Sequence, residues 1–294
     1  MKYQPFSPIF AKKGLSVLEL LVALCLFAFL CLAIGSFAPV ARRVANKTHK
    51  VTEVTQSLQS VYNYLSLDVR LAGENLPSAF PAVLLLRNPP RLTLRRGLVP
   101  YSLPLCEQVS ANTPVTHFVV AKNGVIQNGC SVSGNLNTFQ QWQNYAQTNL
   151  GIPFKIYVYD VVSRTGFYVP ISQFQMPSEQ LRLVFPNTII FNQPLHTATT
   201  ALYLIEELEF RQNGDSLILN VLSRDRTYTL AFNVANLDFR IRHNSVVSDT
   251  FTTANNWTNI EYIETQISLS KDYLDFNNQV SSNFRFFPRN ILSH

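Results

Sequence analysis

The pattern of apolar and polar positions changes twice along the chain. Residues 20–41 form an unbroken apolar run. About 20 residues at a rise of ~1.5 Å each cross the hydrocarbon core of a bilayer, so this run is long enough to span. Past Arg42-Arg43, the residues Val51, Val54, Leu58, Val61, Leu65, Val69 and Ala72 recur at three- and four-residue spacing. The positions between them are mostly Thr, Gln, Ser, Asn and Asp, which makes the stripe of an amphipathic helix. Gly73 and Pro77 end it. The two halves together predict one helix of about 60 residues, with Pro39 as the place where it would kink. The soluble half of such a helix needs a sheet to pack on.

Beyond Pro77 the period shortens to two. Strand-like runs fall at 91–96, 115–121, 155–161 and 180–185. Leu208 and Phe210 alternate with polar neighbours, and Asn213-Gly214 supplies a turn. Leu217, Leu219 and Val221 return, a turn follows at 223–226, and Tyr228, Leu230 and Phe232 form the next strand. Leu237, Phe239 and Ile241, then 260–269 and 284–287, complete an antiparallel meander. Segments 133–149, 243–258 and 270–282 are rich in Asn, Gln, Ser and Thr and read as loops. The pattern predicts an α+β fold, a long N-terminal helix packed on an antiparallel β-sheet. The β-rich part reads as two lobes, 77–176 and 177–294.

The start of the apolar run carries the most information. A leader with Lys2, Lys12 and Lys13 precedes it, and Glu19 is the one carboxylate between Lys13 and Arg42. A carboxylate inside a spanning helix costs roughly 2.5–3.5 kcal/mol on insertion scales unless something pairs with it. A secretory signal peptide fits poorly, because its apolar region is about 7–15 residues and ends in a small-residue site. A plain signal anchor accounts for the length and the basic leader but not for Glu19. The junction KKG-LSVLELLVAL resembles the class III signal of type IV prepilins. In that family a dedicated peptidase cuts after the Gly and methylates the new amine. The resemblance implies a cleaved leader at 1–14, processing at Gly14 and Leu15, a helix at 15–76 and a membrane segment at 15–41. It implies that Glu19 meets the new amine of a neighbouring subunit, so that two charges costly in lipid neutralise each other on assembly. The competing account is a carboxylate that snorkels to the near interface. One departure is Leu15, where the family most often has Phe or Met.

Charge and cysteine adjust this picture. The chain has 294 residues and a formal charge of +6, but three positives lie in the leader, which holds no Asp or Glu. Without it, 21 basic residues face 18 acidic ones, so charge alone says little about nucleic acid. Cys25 and Cys31 sit in the apolar run and read as small hydrophobes. Cys106 and Cys130 lie in the part that faces an oxidising compartment on this topology. They form either a disulfide or two separate thiols. The five His residues do not cluster near them, so no metal site is expected.

Within the pilin class the helix end narrows the resemblance. Leu65-Ser66-Leu67-Asp68-Val69-Arg70-Leu71-Ala72-Gly73 is similar to the L-x-x-D-L-R-x-A-G segment of PilW-type minor pilins. The J-type pseudopilins of type II secretion share it without the Gly and are shorter. Residues 178–183, Leu237–Ile241, Trp257–Ile260 and 286–290 resemble later PilW segments more loosely. The resemblance implies a minor pilin that is inserted in the inner membrane with its ectodomain in the periplasm. It is then built into a pilus tip complex with other minor pilins and the major pilin. A J-type pseudopilin is the alternative. Asp68 and Arg70 read either as a surface pair or as a lock of the helix end on the sheet or on a partner pilin.

No G-x-S-x-G, H-E-x-x-H, Walker-type loop or C-x-x-C occurs, and no catalytic role or cofactor is expected. An anchored binding module is the reading from a different class. For DNA its candidates are Arg87, Arg91, Arg95 and Arg96 around Pro89-Pro90, and the interleaved Phe284, Arg285, Phe286, Phe287 and Arg289. The competing accounts are a solvated strand end for the first group and a core strand for the second.

Overall fold

One helix, α1 (Val17–Leu71), carries the chain out of the apolar run. The computed structural model describes residues 17–125, 129–151, 154–177, 179–270 and 281–288. The leader, Gly14 and Leu15 lie outside the described residues, as do Ser178, Arg289, Asn290 and most of the 270–282 loop. The chain divides into two compact units between Val54 and Thr55.

In the first unit, α1 runs through Pro39 without interruption. Its apolar window has a mean hydropathy of 2.9 and no buried residue, and it is long enough to cross a membrane. Phe29, Leu32 and Phe37 are each more than two-thirds exposed. Such a surface is stable only against hydrocarbon or other apolar protein. Cys25 and Cys31 are free thiols on it.

Val51 and Val54 of the predicted stripe belong to the first unit, and the rest of it lies in the second. Val61, Leu65, Val69 and Ala72 are buried, Val54 and Leu58 are half-buried, and Val51 is exposed. The strands follow in chain order: β1 (Val83–Leu86), β2 (Arg91–Gly97), β3 (Leu103–Pro104) and β4 (Pro114–Lys122). A second helix, α2 (Val132–Tyr145), precedes β5 (Phe154–Asp160), β6 (Thr165–Ile171), β7 (Gln173–Gln175), β8 (Gln180–Ile190) and β9 (Thr200–Tyr203). The rest are β10 (Ile205–Asn213), β11 (Ser216–Val221), β12 (Arg226–Ala231), β13 (Val234–His243), β14 (Val246–Ser248), β15 (Ile260–Leu269) and β16 (Ser281–Phe286). All pairings are antiparallel, as the alternating pattern predicts.

The strand order is nested rather than consecutive. One sheet runs β1-β2-β10-β11-β12 and another β14-β13-β15-β16. The stretch between β2 and β10 builds two sheets of its own, β3-β9-β5-β6 and β4-β8-β7. It surrounds a separate hydrophobic cluster that includes Phe118, Phe139, Trp142, Ile156 and Leu183. The split expected at residues 176 and 177 is therefore crossed by the β4–β8 and β5–β9 pairs. Periodicity finds strands but not their partners, so β2 pairing with β10 was invisible to it.

The segment expected as a loop at 133–149 is α2 followed by a single π-turn at Ala146–Leu150. Its polar composition hides a narrow stripe, Phe139, Trp142 and Ala146, all buried. Ser131 caps the start by accepting from the Gly134 N–H at 3.1 Å. Of the two readings of Cys106 and Cys130, the structure has the disulfide, with Cα atoms 5.6 Å apart. Both ends are pinned to β4: the Cys106 N–H donates to the Val119 carbonyl and the Lys122 N–H to the Cys130 carbonyl. Closing a loop of this length stabilises by about 3 kcal/mol in the chain-entropy account.

Candidate functional site

Gly73, Asp68, Arg95 and Arg96 meet where α1 ends on the first sheet. Gly73 follows the helix at φ +79°, a conformation that favours glycine. Its N–H donates to the Arg95 carbonyl at 2.8 Å, and the Gly97 N–H donates to the Glu74 carbonyl at 2.7 Å. These bonds join the turn to β2. The buried Trp257 indole lies against Gly73, and a Cβ at that position would come within 2.1 Å of the ring. The helix-end Gly and the later Trp, two separate sequence signals, thus form one contact.

Asp68 is on the buried face of α1. The β2–β10 register sets Arg96 opposite Glu206, and Arg96 Nε donates to Glu206 at 2.9 Å. Arg224 reaches the other Glu206 oxygen at 3.5 Å. Burial pushes the Asp68 carboxyl up to about 6, with Arg96 opposing the shift and Glu206 adding to it. A residue two positions on points to a different face of a helix, and Arg70 is exposed in the last turn, where a cation suits the helix dipole. The structure therefore sets Asp68 and Arg70 on different faces of α1 and leaves Asp68 buried within the electrostatic reach of Arg96.

The four arginines do not form one open cationic patch. Arg87 pairs with Asp249 at 2.8 Å, Arg91 with Glu209 at 3.0 Å and Arg96 with Glu206. Arg95 is buried and donates to both Glu207 oxygens at 3.1 and 3.4 Å and to the Pro81 carbonyl at 3.0 Å. Tyr168 donates to the same Glu207 at 2.9 Å, and the guanidinium lies 5.0 Å from the Tyr157 ring. Burial works against the Arg95 charge, but Glu207 outweighs it and holds the guanidinium above its ordinary range. Burial, reinforced by Glu207, holds the Tyr168 phenol far up. The cluster has a structural account that needs no external anion. Its acidic half is not legible as a partner in the sequence, although Glu206, Glu207 and Glu209 stand in β10 between apolar neighbours, a pattern that buried counter-charges produce.

The aromatic and basic run near the C-terminus falls on β16, the edge strand of its sheet, which turns one side inward. Phe286 is buried, and Phe284 and Phe286 meet the Tyr62 ring of α1 at 5.6 and 5.5 Å. Arg285 lies 5.1 Å from the Tyr262 ring and 3.4 Å from Glu264. In the first unit, Glu19 stands exposed in the first turn of α1, where the helix dipole favours a carboxylate.

A cleft of about 750 Å³ opens in the inserted stretch, between the β5–β6 hairpin and the segment from Ile189 at the end of β8 to His196. Its lining is mainly apolar. At its rim Asp160 accepts from the Val162 and Ser163 N–H groups at 3.0 and 2.7 Å and from the Thr199 hydroxyl. Burial would raise the Asp160 carboxyl, but these donors outweigh it and hold the group below its ordinary range. Among the described residues, no three His, Cys, Asp or Glu side chains converge as a metal site. No protein-family model matches the chain, and no curated protein matches it.

Proposed function

We propose that the chain is a non-enzymatic, membrane-anchored subunit of a pilin-like assembly, a minor pilin of a type IV pilus. The observation that carries this reading is the continuity of α1. One helix begins at the Glu19 junction, presents a bare apolar surface of spanning length, and continues into a stripe that packs against β-structure. In this account the peptidase cuts after Gly14, and the Leu15 amine and Glu19 neutralise each other between adjacent subunits. The ectodomain faces the periplasm until the subunit enters the pilus. There it joins other minor pilins and the major pilin at the tip. Gly73, held at positive φ against Trp257, supports the PilW-type reading over the J-type one, in which that Gly is missing.

The pairing role of Glu19 is tested by Glu19→Ala. The variant should still lose its leader and remain in the membrane, yet fail to appear in sheared pili. Normal incorporation contradicts the pairing.

A further inference from the structure

One face of the β5–β6 hairpin forms the floor of the cleft, and the segment 189–196 forms its wall. The hairpin register sets Val158 opposite Phe167 and, two residues on, Asp160 opposite Thr165. Residues two apart on a strand share a face, so these two rungs lie side by side on the floor, with Val169 beyond Phe167. The floor therefore has a direction. Val158 and Val169 are buried at one end, and Phe191 and Leu195 stand buried in the wall. The Asp160–Thr165 rung makes the other end polar. Phe167, 39% exposed, lies between Val169 and that polar rung. At a rise of ~3.3 Å per residue, the aromatic rung and the polar rung are about 7 Å apart.

The polar end carries negative charge. Burial opposes ionisation of Asp160, but its donors outweigh that and hold the carboxyl below its ordinary range, so it is an anion at neutral pH. The Val162 and Ser163 N–H groups share Oδ1, while Oδ2 takes the Thr199 hydroxyl and keeps a lone pair for a further donor. Among the described residues that line the cleft there is no lysine or arginine. Arg164, in the same turn, donates instead to the Thr253 and Ala254 carbonyls at 3.4 and 3.1 Å. The volume of about 750 Å³ falls within the range of natural binding clefts.

We propose that this cleft binds a small primary amine: its aromatic or branched apolar group lies against Phe167, Val158 and Phe191, and its ammonium donates to Asp160. A chain of two or three carbons places an ammonium about 5–6 Å from the centre of a ring, which matches the separation of the two rungs. A purely apolar ligand would cover the Asp160 carboxylate without bringing a donor, and that desolvation costs free energy. An anionic ligand would meet the carboxylate with no lysine or arginine in the lining to offset it. The proposal does not depend on the pilin reading, because leader processing is measured separately from amine binding.

Fluorine NMR of the full chain in zwitterionic lipid nanodiscs tests it, with empty nanodiscs as the blank. The probes are para-fluorinated phenethylamine, phenethyl alcohol and phenylpropanoate, which share a ring and differ in the head group. The amine should saturate, with half-saturation on the order of 0.1–1 mM. The alcohol should bind at least about fivefold more weakly, and the carboxylate at least about twentyfold. Asp160→Asn keeps an oxygen for the two backbone N–H groups but carries no charge. It should bring the amine down to the level of the alcohol and leave the alcohol unchanged. Phe167→Ala should weaken amine and alcohol alike, by about fivefold. If Asp160→Asn lowers the thermal midpoint by more than about 5 °C, the wild-type ranking of amine against carboxylate decides alone. The proposal is overturned by a carboxylate that binds as tightly as the amine, by an amine preference that survives Asp160→Asn, or by no saturation of the amine up to about 10 mM.

Discussion

Gly73 lies against the Trp257 indole so closely that a Cβ would sit 2.1 Å from the ring. At φ +79° the backbone also disfavours any side chain. Gly73→Ala should therefore destabilise the β-rich unit by about 2–4 kcal/mol, from overpacking and left-handed strain together. Urea denaturation of the full chain in nanodiscs, read by Trp fluorescence, checks this. A loss below about 0.5 kcal/mol would mean that the helix end is not held by this contact.

Asp68 gives the same junction a pH dependence. Its folded carboxyl is raised from 3.8 to about 6, so between those values the folded chain holds a proton that the unfolded chain has released. The contribution of Asp68 is thus complete below about pH 4 and lost as pH rises through about 6, on the order of 3 kcal/mol. Asp68→Asn should gain stability over the wild type at pH 7.5 and little at pH 4.5. Denaturation curves of both chains at the two pH values decide it. A variant that is less stable at pH 7.5 than the wild type would show that the carboxylate is a favourable partner of Arg96.

Glu207 and Arg95 test the account of the arginine cluster. Glu207→Gln leaves a buried guanidinium without its anion and should lose about 3–5 kcal/mol. The double variant Arg95→Met, Glu207→Leu removes both charges and should lose less than the single one. If Glu207→Gln is neutral in denaturation, Arg95 is solvated and free to meet an external phosphate.

The sequence and the structure agree where local physics decides the outcome. The helix stripe from Val61 to Ala72 and the β15 strand at Ile260–Leu269 are set by neighbours three, four or two residues apart, and the turn expected at Asn213-Gly214 falls one residue on, at Gly214-Asp215. What was hidden is long-range. The β2–β10 pairing joins residues more than 100 positions apart, and only that pairing reveals the carboxylates of Arg91, Arg95 and Arg96. The helix α2 was obscured because Phe139 and Trp142 are its only large buried residues among Asn, Gln and Thr. The strands β3, β7 and β14 are too short to show a period of two.

The central claim is that α1 begins at a processed junction. Mass spectrometry of the N-terminal peptide from the membrane-purified protein tests it most directly. The account predicts a chain that starts at N-methylated Leu15 and retains Glu19. A chain that starts at Met1, or one cut within the small residues near Gly35, Ser36 and Ala38, would contradict it.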